Sequence, residues 1–457
     1  MTKGAVTTQA QDRRRAVSGF TLYDVANSAF VTTVVTAVGG PFVTATAVAA
    51  ADRAGRVSLL GLHPRAAAVF GYAVSASVLL QVLALPLLGA LADRAAAKRR
   101  LLLAGTVAGA AATLVLAAAP GGRPLPAAAA FVVANVAYGT AVLAYNAYLA
   151  DVAEPADRDR VSARGFAAGY AGGGFVLALT LGLVTAAGPL GLSRGAAVRL
   201  SIALAGVWWL AVGVLAVRRL DAARALPGAA AAEPPGPLGR QLRSAASELR
   251  SSLVALRALP GTARYLVAFL LFNDAIQAVI ALSAVVLTQE LFVAEGRPAE
   301  DATSFLLLLV LLIQVVAVAG AAGSSRLAAR WGARAVLLGS LVVWCGVVAY
   351  AVFGLDGTGA AYGLGVVIAL VLGGSQSLSR SLFSRMVPAG RQASFFGFYE
   401  LAERGTAWVG TLVFSVVLDL TGSYRGALLS LLVLFVTGGG LLARTDTGAA
   451  TEAAAAG

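Results

Sequence analysis

Residues 89–100 read GALADRAAAKRR. An acid and a cluster of bases stand there between two apolar runs, 66–91 and 101–119. Uninterrupted apolar runs of about 18 residues or more match the hydrocarbon thickness of a bilayer. Working outward from this charged break, further runs occur at 17–40, 127–150, 164–187, 197–217, 263–288, 302–323, 335–353, 361–383, 395–418 and 425–443. The reading is an all-α membrane protein with twelve transmembrane helices in two pseudo-symmetric six-helix lobes. Composition agrees: of 457 residues, 59% are hydrophobic and 12% charged, against roughly 25% charged in a soluble domain.

The domain reading is an N-terminal lobe 1–217, a cytoplasmic linker with an amphipathic basic stretch 218–262, a C-terminal lobe 263–444 and a disordered tail 445–457. The net charge of +13 does not mark a nucleic-acid partner, because the bases are scattered over short loops. Most of the 35 Lys and Arg fall in the segments expected on one side, which places both termini in the cytoplasm under the positive-inside rule.

Arg13 to Arg15 followed by an apolar run ending in TAVAA (46–50) imitates a secretory signal. The run is long and carries Asp24 and Asn27, so it is read as the first span. The GGP at 39–41 is expected to end or break that helix, since Pro lacks a donor. His63 and Cys345 are the only residues of their kinds; no metal site, disulfide framework or histidine triad is expected. No Gly-Lys-Ser/Thr occurs, which leaves ATP-driven transport unsupported, and no cofactor is expected.

Matching segments recur in order in the two halves. PADR (Pro155–Arg158) answers PAGR (Pro388–Arg391), the 89–100 loop answers LAARWGAR (Leu327–Arg334), and YDVAN of the first span answers FNDAIQ (Phe272–Gln277) of the seventh. Asp24 thereby stands opposite Asp274, and Asp93 opposite Ala329.

GALADRAAAKRR resembles the major facilitator signature, with Gly89, Asp93 and Arg94 in its spacing, one residue added and Ala in place of a later Gly. YDVANSAF (23–30), AYNAYLADVAEPADRDRVSARGFAAGYAGGG (144–174) and the segment 373–423 resemble the vacuole-effluxer-like branch of that superfamily, whose fungal members are amino-acid effluxers linked to autophagy. The resemblance covers all twelve spans and departs at position 25, where family members usually carry Trp and this chain has Val. It implies the major facilitator fold and transport, with a motif acid at Asp93 that stabilises the form closed to the cytoplasm by meeting the N-terminus of the eleventh helix, near Ser394. With Ala329 opposite Asp93, the cytoplasmic gate is expected to be asymmetric.

Ionisable groups inside spans are expensive and therefore functional candidates. Asp24, Asn27 and Ser28 share one helix face, and Asp24 lies about 14 Å from Arg15 along the axis, near mid-membrane. Asn273, Asp274 and Gln277 form the matching set. With Glu403 these are the candidates for substrate or proton binding, the competing reading being structural ties between helices. Tyr23, Asn135, Tyr138, Asn146, Gln314, Gln376 and Tyr399, together with Tyr145, are candidate cavity-lining residues. Gly89, Asp93, Arg94, Arg158, Arg380, Arg391, Glu400 and Arg404 are gating candidates; Glu400 and Arg404 are placed to pair within their helix, Arg380 is close enough to the cytoplasmic end to snorkel, and Lys98 to Arg100 are expected against the membrane surface.

The expected protein is a monomeric secondary active transporter, not an enzyme. It moves a small polar solute by alternating access, with protons as a partner, in a bacterial inner membrane. Amino-acid efflux follows from the resemblance. A proton-coupled multidrug or cation antiporter is the alternative, and a non-transporting receptor or scaffold stands behind it.

Overall fold

The computed structural model describes residues 3–59, 61, 63–64, 66, 69–92, 95–225, 247, 250–296, 302–404, 409–421 and 423–456. It forms two compact units, Met1–Val152 with Ala168–Ala246, and Ala153–Ala167 with Ser247–Gly457. Among the described residues, eleven helices are long and apolar enough to cross a membrane. The expected eleventh span is described as two 13-residue helices, Gln392–Arg404 and Val409–Thr421, on either side of residues 405–408.

In the first unit, α1 (Lys3–Ala29) leads through a π-helical segment, Phe30–Val38, into α2 (Gly39–Val48). Then follow α3 (Val69–Ala92), α4 (Ala95–Ala118), α5 (Pro124–Ala147), α6 (Arg158–Thr185, whose residues up to Ala167 belong to the second unit) and α7 (Arg194–Leu220). The main packing partners are α1 with α7, α3 with α5, α4 with α5 and α4 with α7. In the second unit, α8 (Pro260–Thr288), α9 (Ala302–Trp331), α10 (Ala333–Phe353), α11 (Gly357–Arg385), α12 (Gln392–Arg404), α13 (Val409–Thr421), α14 (Tyr424–Ser430), α15 (Leu432–Ala443) and α16 (Thr447–Ala456) follow. There α8 packs on α15, α9 on α11, α10 on α11 and α10 on α15, the same scheme at the same places in each half.

Small residues make these pairings possible, because helices in a bilayer associate by close contact rather than by a difference in hydrophobicity. A Cβ on Gly105 would lie 2.8 Å from the Ala137 carbonyl oxygen, and one on Gly373 2.8 Å from that of Ala317. Large apolar side chains face outward instead, among them Leu83, Val342, Phe353 and Leu420.

Three expectations are corrected. The GGP does not end the first helix. The wider π turn carries the chain through it, with the Gly39 amide donating to the Val34 carbonyl. A Cβ on Gly39 would sit 2.2 Å from that oxygen, so this turn needs glycine, and Pro41 falls in the first turn of the new helix, where its missing donor costs least. The tail is not disordered; α16 packs on α8 with Ala450 and Ala454 buried, and Ala450 rests against Gly261. Nor do all the bases following α3 lie on a membrane surface. Lys98 donates to Asp151 at 2.7 Å, and Arg99 binds both oxygens of Asp221 at 2.5 and 3.1 Å; only Arg100 of the three is exposed. Asp93 and Arg94 lie outside the described residues, while Gly89 is buried.

Gly109 gives a direct test of this packing, since an added Cβ would enter the Trp209 ring at 2.1 Å. Overpacking of that kind costs about 1–3 kcal/mol. Gly109→Ala is expected to lower the thermal midpoint of the detergent-purified protein, whereas Gly182→Ala, whose methyl meets nothing within 4 Å, leaves it unchanged or slightly raised. Equal midpoints for the two variants would contradict the described α4–α7 contact.

Candidate functional site

Each unit buries one of the paired acids. In the first, Asp24 is 7% exposed, and the Tyr145 hydroxyl donates to its Oδ2 at 2.6 Å. Tyr145 stacks on Phe20 with centroids 4.4 Å apart and meets Tyr23 at 5.0 Å. The Tyr23 hydroxyl is in turn bonded to Thr106 Oγ at 2.7 Å. Asp24 is thus set in an aromatic wall built by α1 and α5. Helix α6 closes its other side, because Gly169 has no side chain to keep it away; a Cβ there would lie 3.3 Å from the Asp24 Cβ and 2.8 Å from Ser28 Oγ. Asn27 and Asn146 are buried nearby in sequence. Asn135 is a tie between helices, donating to Ser77 Oγ at 2.8 Å. Tyr138 packs on Phe30 and Trp209.

In the second unit Asp274 is 1% exposed. Its Oδ2 accepts from the Gly410 amide in the first turn of α13 at 2.5 Å, while Oδ1 is buried and accepts no hydrogen bond among the described residues. Gly410 plays the part that Gly169 plays in the first unit: a Cβ there would meet Ala278 at 2.8 Å and Asp274 Oδ2 at 3.2 Å. Neighbouring Asn273 reaches the Glu403 carbonyl at 3.5 Å, and Gln277 is half-buried one turn on. Tyr399 is buried in a stack with Phe269 (4.2 Å) and Phe383 (5.1 Å). Gln314 and Glu400 are buried, Gln376 and Glu403 half-buried; the expected Glu400–Arg404 pair involves a side chain outside those described.

A transmembrane bundle repeated with the same packing, each copy holding a buried acid on its first helix, sets the frame for comparison. The model of the family described as vacuole effluxer Atg22 like matches residues 12–455. The chain belongs to this family of major facilitator transporters. An uncharacterized MFS-type transporter of Bacillus subtilis, YxiO, is 27% identical over 423 residues, covering 92% of each chain. Autophagy-related protein 22 of Yarrowia lipolytica is 27% identical over 310 residues, 63% of this chain and 50% of the fungal one; the match thus spans about half the length of that relative. Among solved structures, the proton:xylose symporter XylE superposes with a TM-score of 0.67 at 11% identity, covering 94% of this chain and 95% of the other. An outward-facing bacterial homologue of the iron transporter ferroportin gives 0.65 at 15% identity, covering 95% and 99%. The structural likenesses establish the major facilitator fold, and membership of the family establishes transport rather than catalysis.

Of the gating candidates of this effluxer-family chain, Gly89 lies in the first unit, while Arg158, Arg380, Arg391 and Glu400 lie in the second, where residues 153–167 belong. Arg158 donates to the Ser384 carbonyl at 2.5 Å and to that of Ala153 at 3.4 Å. Arg380 does not snorkel. It is 3% exposed, donates to Ser162 Oγ at 2.9 Å and to the Ser162 carbonyl at 3.0 Å, and lies 4.2 Å from the Phe166 ring centre; these partners replace the water it would otherwise seek. Asp159 accepts from Ser381 Oγ at 2.6 Å and Arg385 at 2.6 Å. Arg391 holds the Ser251 carbonyl at 3.2 Å. Sequence reading missed Asp159, Ser162 and Arg385; the alternation of charge in DRDR (157–160) opposite the Ser-rich SQSLSRSLFSR (375–385) was the available signal.

Tyr145 is the partner that defines the first unit's acid. Tyr145→Phe removes its donor from a buried carboxylate, a loss of about 1–3 kcal/mol, read as a lower thermal midpoint. Combined with Asp24→Asn, the two losses are expected to be non-additive by about 0.5–3 kcal/mol; strictly additive losses would show that the two groups are not bonded.

Proposed function

We propose that this transporter exports an amino acid or a related amine or zwitterion, and that Asp24 receives the ammonium group of the solute. The observation that carries the reading is the buried Asp24 carboxylate set among Phe20, Tyr23 and Tyr145. A negative charge in low dielectric attracts a cation strongly, and aromatic faces add a favourable cation–π contribution. The Tyr145 hydroxyl supports the ionised acid by donating to it, which keeps the charge available. The effluxer description of the family supports the direction.

Export proceeds by alternating access in a bacterial inner membrane, with both termini in the cytoplasm. Tyr23 and Asn146 complete the polar wall of the first unit. Arg158, Arg380 and Arg391 hold the intracellular ends of the second unit, and their ties are the contacts whose exchange would accompany gating. One chain is the functional unit.

Proteoliposomes and a panel of radiolabelled amino acids, polyamines and a permeant organic cation test the assignment. At least one amine-bearing solute is expected to move, and Asp24→Asn is expected to reduce its flux roughly 30-fold or more, the equivalent of losing a buried charge contact of about 2 kcal/mol. Wild-type flux in Asp24→Asn would remove this residue from the site. Movement of organic cations alone would make the protein a cation antiporter instead.

A further inference from the structure

The two acids occupy matching positions in the repeat, yet their surroundings differ in kind. Asp24 takes a hydroxyl donor and sits in an aromatic wall. Among the described residues, Asp274 takes the Gly410 backbone amide on Oδ2, and its buried Oδ1 accepts no hydrogen bond. An ionised carboxylate in that position would leave most of its lone pairs unsatisfied in the interior, where an unpaired charge is strongly disfavoured.

The charged groups on the elements packed around α8 do not relieve this. Arg380 is committed to Ser162 and Phe166, and Arg385 to Asp159. Arg425 of α14 binds Glu290 at 2.7 Å, Arg334 of α10 binds the Leu442 and Ala443 carbonyls, and Arg264 of α8 itself reaches the Arg444 carbonyl at 3.4 Å. The remaining described charged side chains, Glu400 and Glu403 of α12 and Glu452 of α16, are acids, which oppose a second negative charge. The side chains of Arg404 and Asp419 are not among those described.

We propose that Asp274 is the proton carrier of this transporter: a carboxyl held neutral while buried, with its proton on Oδ1 and its Oδ2 on the Gly410 amide. Asp24 remains the ionised partner of the solute, and the proposal to this extent rests on the transport reading above. In each cycle Asp274 takes a proton from water on one side of the membrane, forming an O–H bond, and returns that proton to water on the other side. The backbone amide of Gly410 stays with the carboxyl in both forms, because an N–H can donate to a carboxylate or to the carbonyl oxygen of the acid. A conserved geometry through both protonation states lets the group titrate without the helix pair coming apart.

The decisive measurement is independent of the solute. Infrared spectra of the full-length protein in lipid vesicles near neutral pH are expected to show a protonated-carboxyl band that Asp274→Asn abolishes and Asp24→Asn retains. The Asn variant can still accept from Gly410, so its fold is expected to survive, which its thermal midpoint checks. A wild-type spectrum without the band, or a band that persists in Asp274→Asn, would overturn the proposal. With a solute taken from the panel and a pH-sensitive dye trapped in the vesicles, wild-type transport is expected to move protons. In Asp274→Asn proton movement falls to background and the remaining flux ignores an imposed pH gradient; proton movement at the wild-type ratio to solute would also overturn it. Failure of every panel solute would count against the transported class while leaving the infrared result to decide the role of Asp274.

Discussion

A carboxylate at mid-membrane has no water to turn to, so its hydrogen-bond partners must come from the protein, and the helices must approach closely enough to deliver them. Both acids meet this requirement through glycine. Gly169 lets α6 close on Asp24, and Gly410 lets α13 close on Asp274. In the second case glycine itself is the donor, since its amide reaches the carboxyl. A methyl at either position would push away the helix that shields the acid, and the group would lose burial and partner together.

The same packing scheme in the two units does not force the same chemistry. A base at the start of the third helix of each half reaches the end of the sixth, yet by different means. Arg99 finds the Asp221 carboxylate, while Arg334 finds the Leu442 and Ala443 carbonyls. Both use a cation at the negative end of a helix dipole, but only the first adds an ionised partner. Lys98, bound to Asp151, extends this more heavily charged solution in the first unit. Divergence at the acids follows the same logic: repetition preserves where a polar group stands and leaves its partner free to change.

Helix positions, the repeat and the acids were legible because each rests on local pattern: long apolar runs, and charges that interrupt them. The partners were not, because they come from residues distant in sequence. Tyr145 is 121 positions from Asp24 and looks like any aromatic in a span until α1 and α5 are packed. Ser162 gives no hint of the two bonds it makes to the Arg380 side chain. The GGP reading failed for a different reason. Propensity treats Gly-Gly-Pro as a break, but a π turn shifts the hydrogen-bond ladder and places Pro41 where its missing donor is tolerated. The tail failed because composition describes an isolated peptide, and Ala-rich α16 is held by Gly261 and the helix it starts.

Val25 joins these themes. The family resemblance expects an indole at this position, beside the acid. Here the side chain is small and lies against Gly172, where a Cβ would be 2.7 Å from Val25 Cγ1. An indole is nevertheless present, since Trp208 of α7 donates Nε1 to the Val25 carbonyl at 3.0 Å and its ring meets Phe175 at 5.7 Å. The aromatic group has therefore been supplied from a neighbouring helix, and the space at position 25 is used for close approach. Gly169, Gly172 and Gly173 all press on α1 within one helical turn, so a bulky residue at 25 would tilt α6 at the contact that covers Asp24. The small residue next to the acid is what allows α6 to seal it.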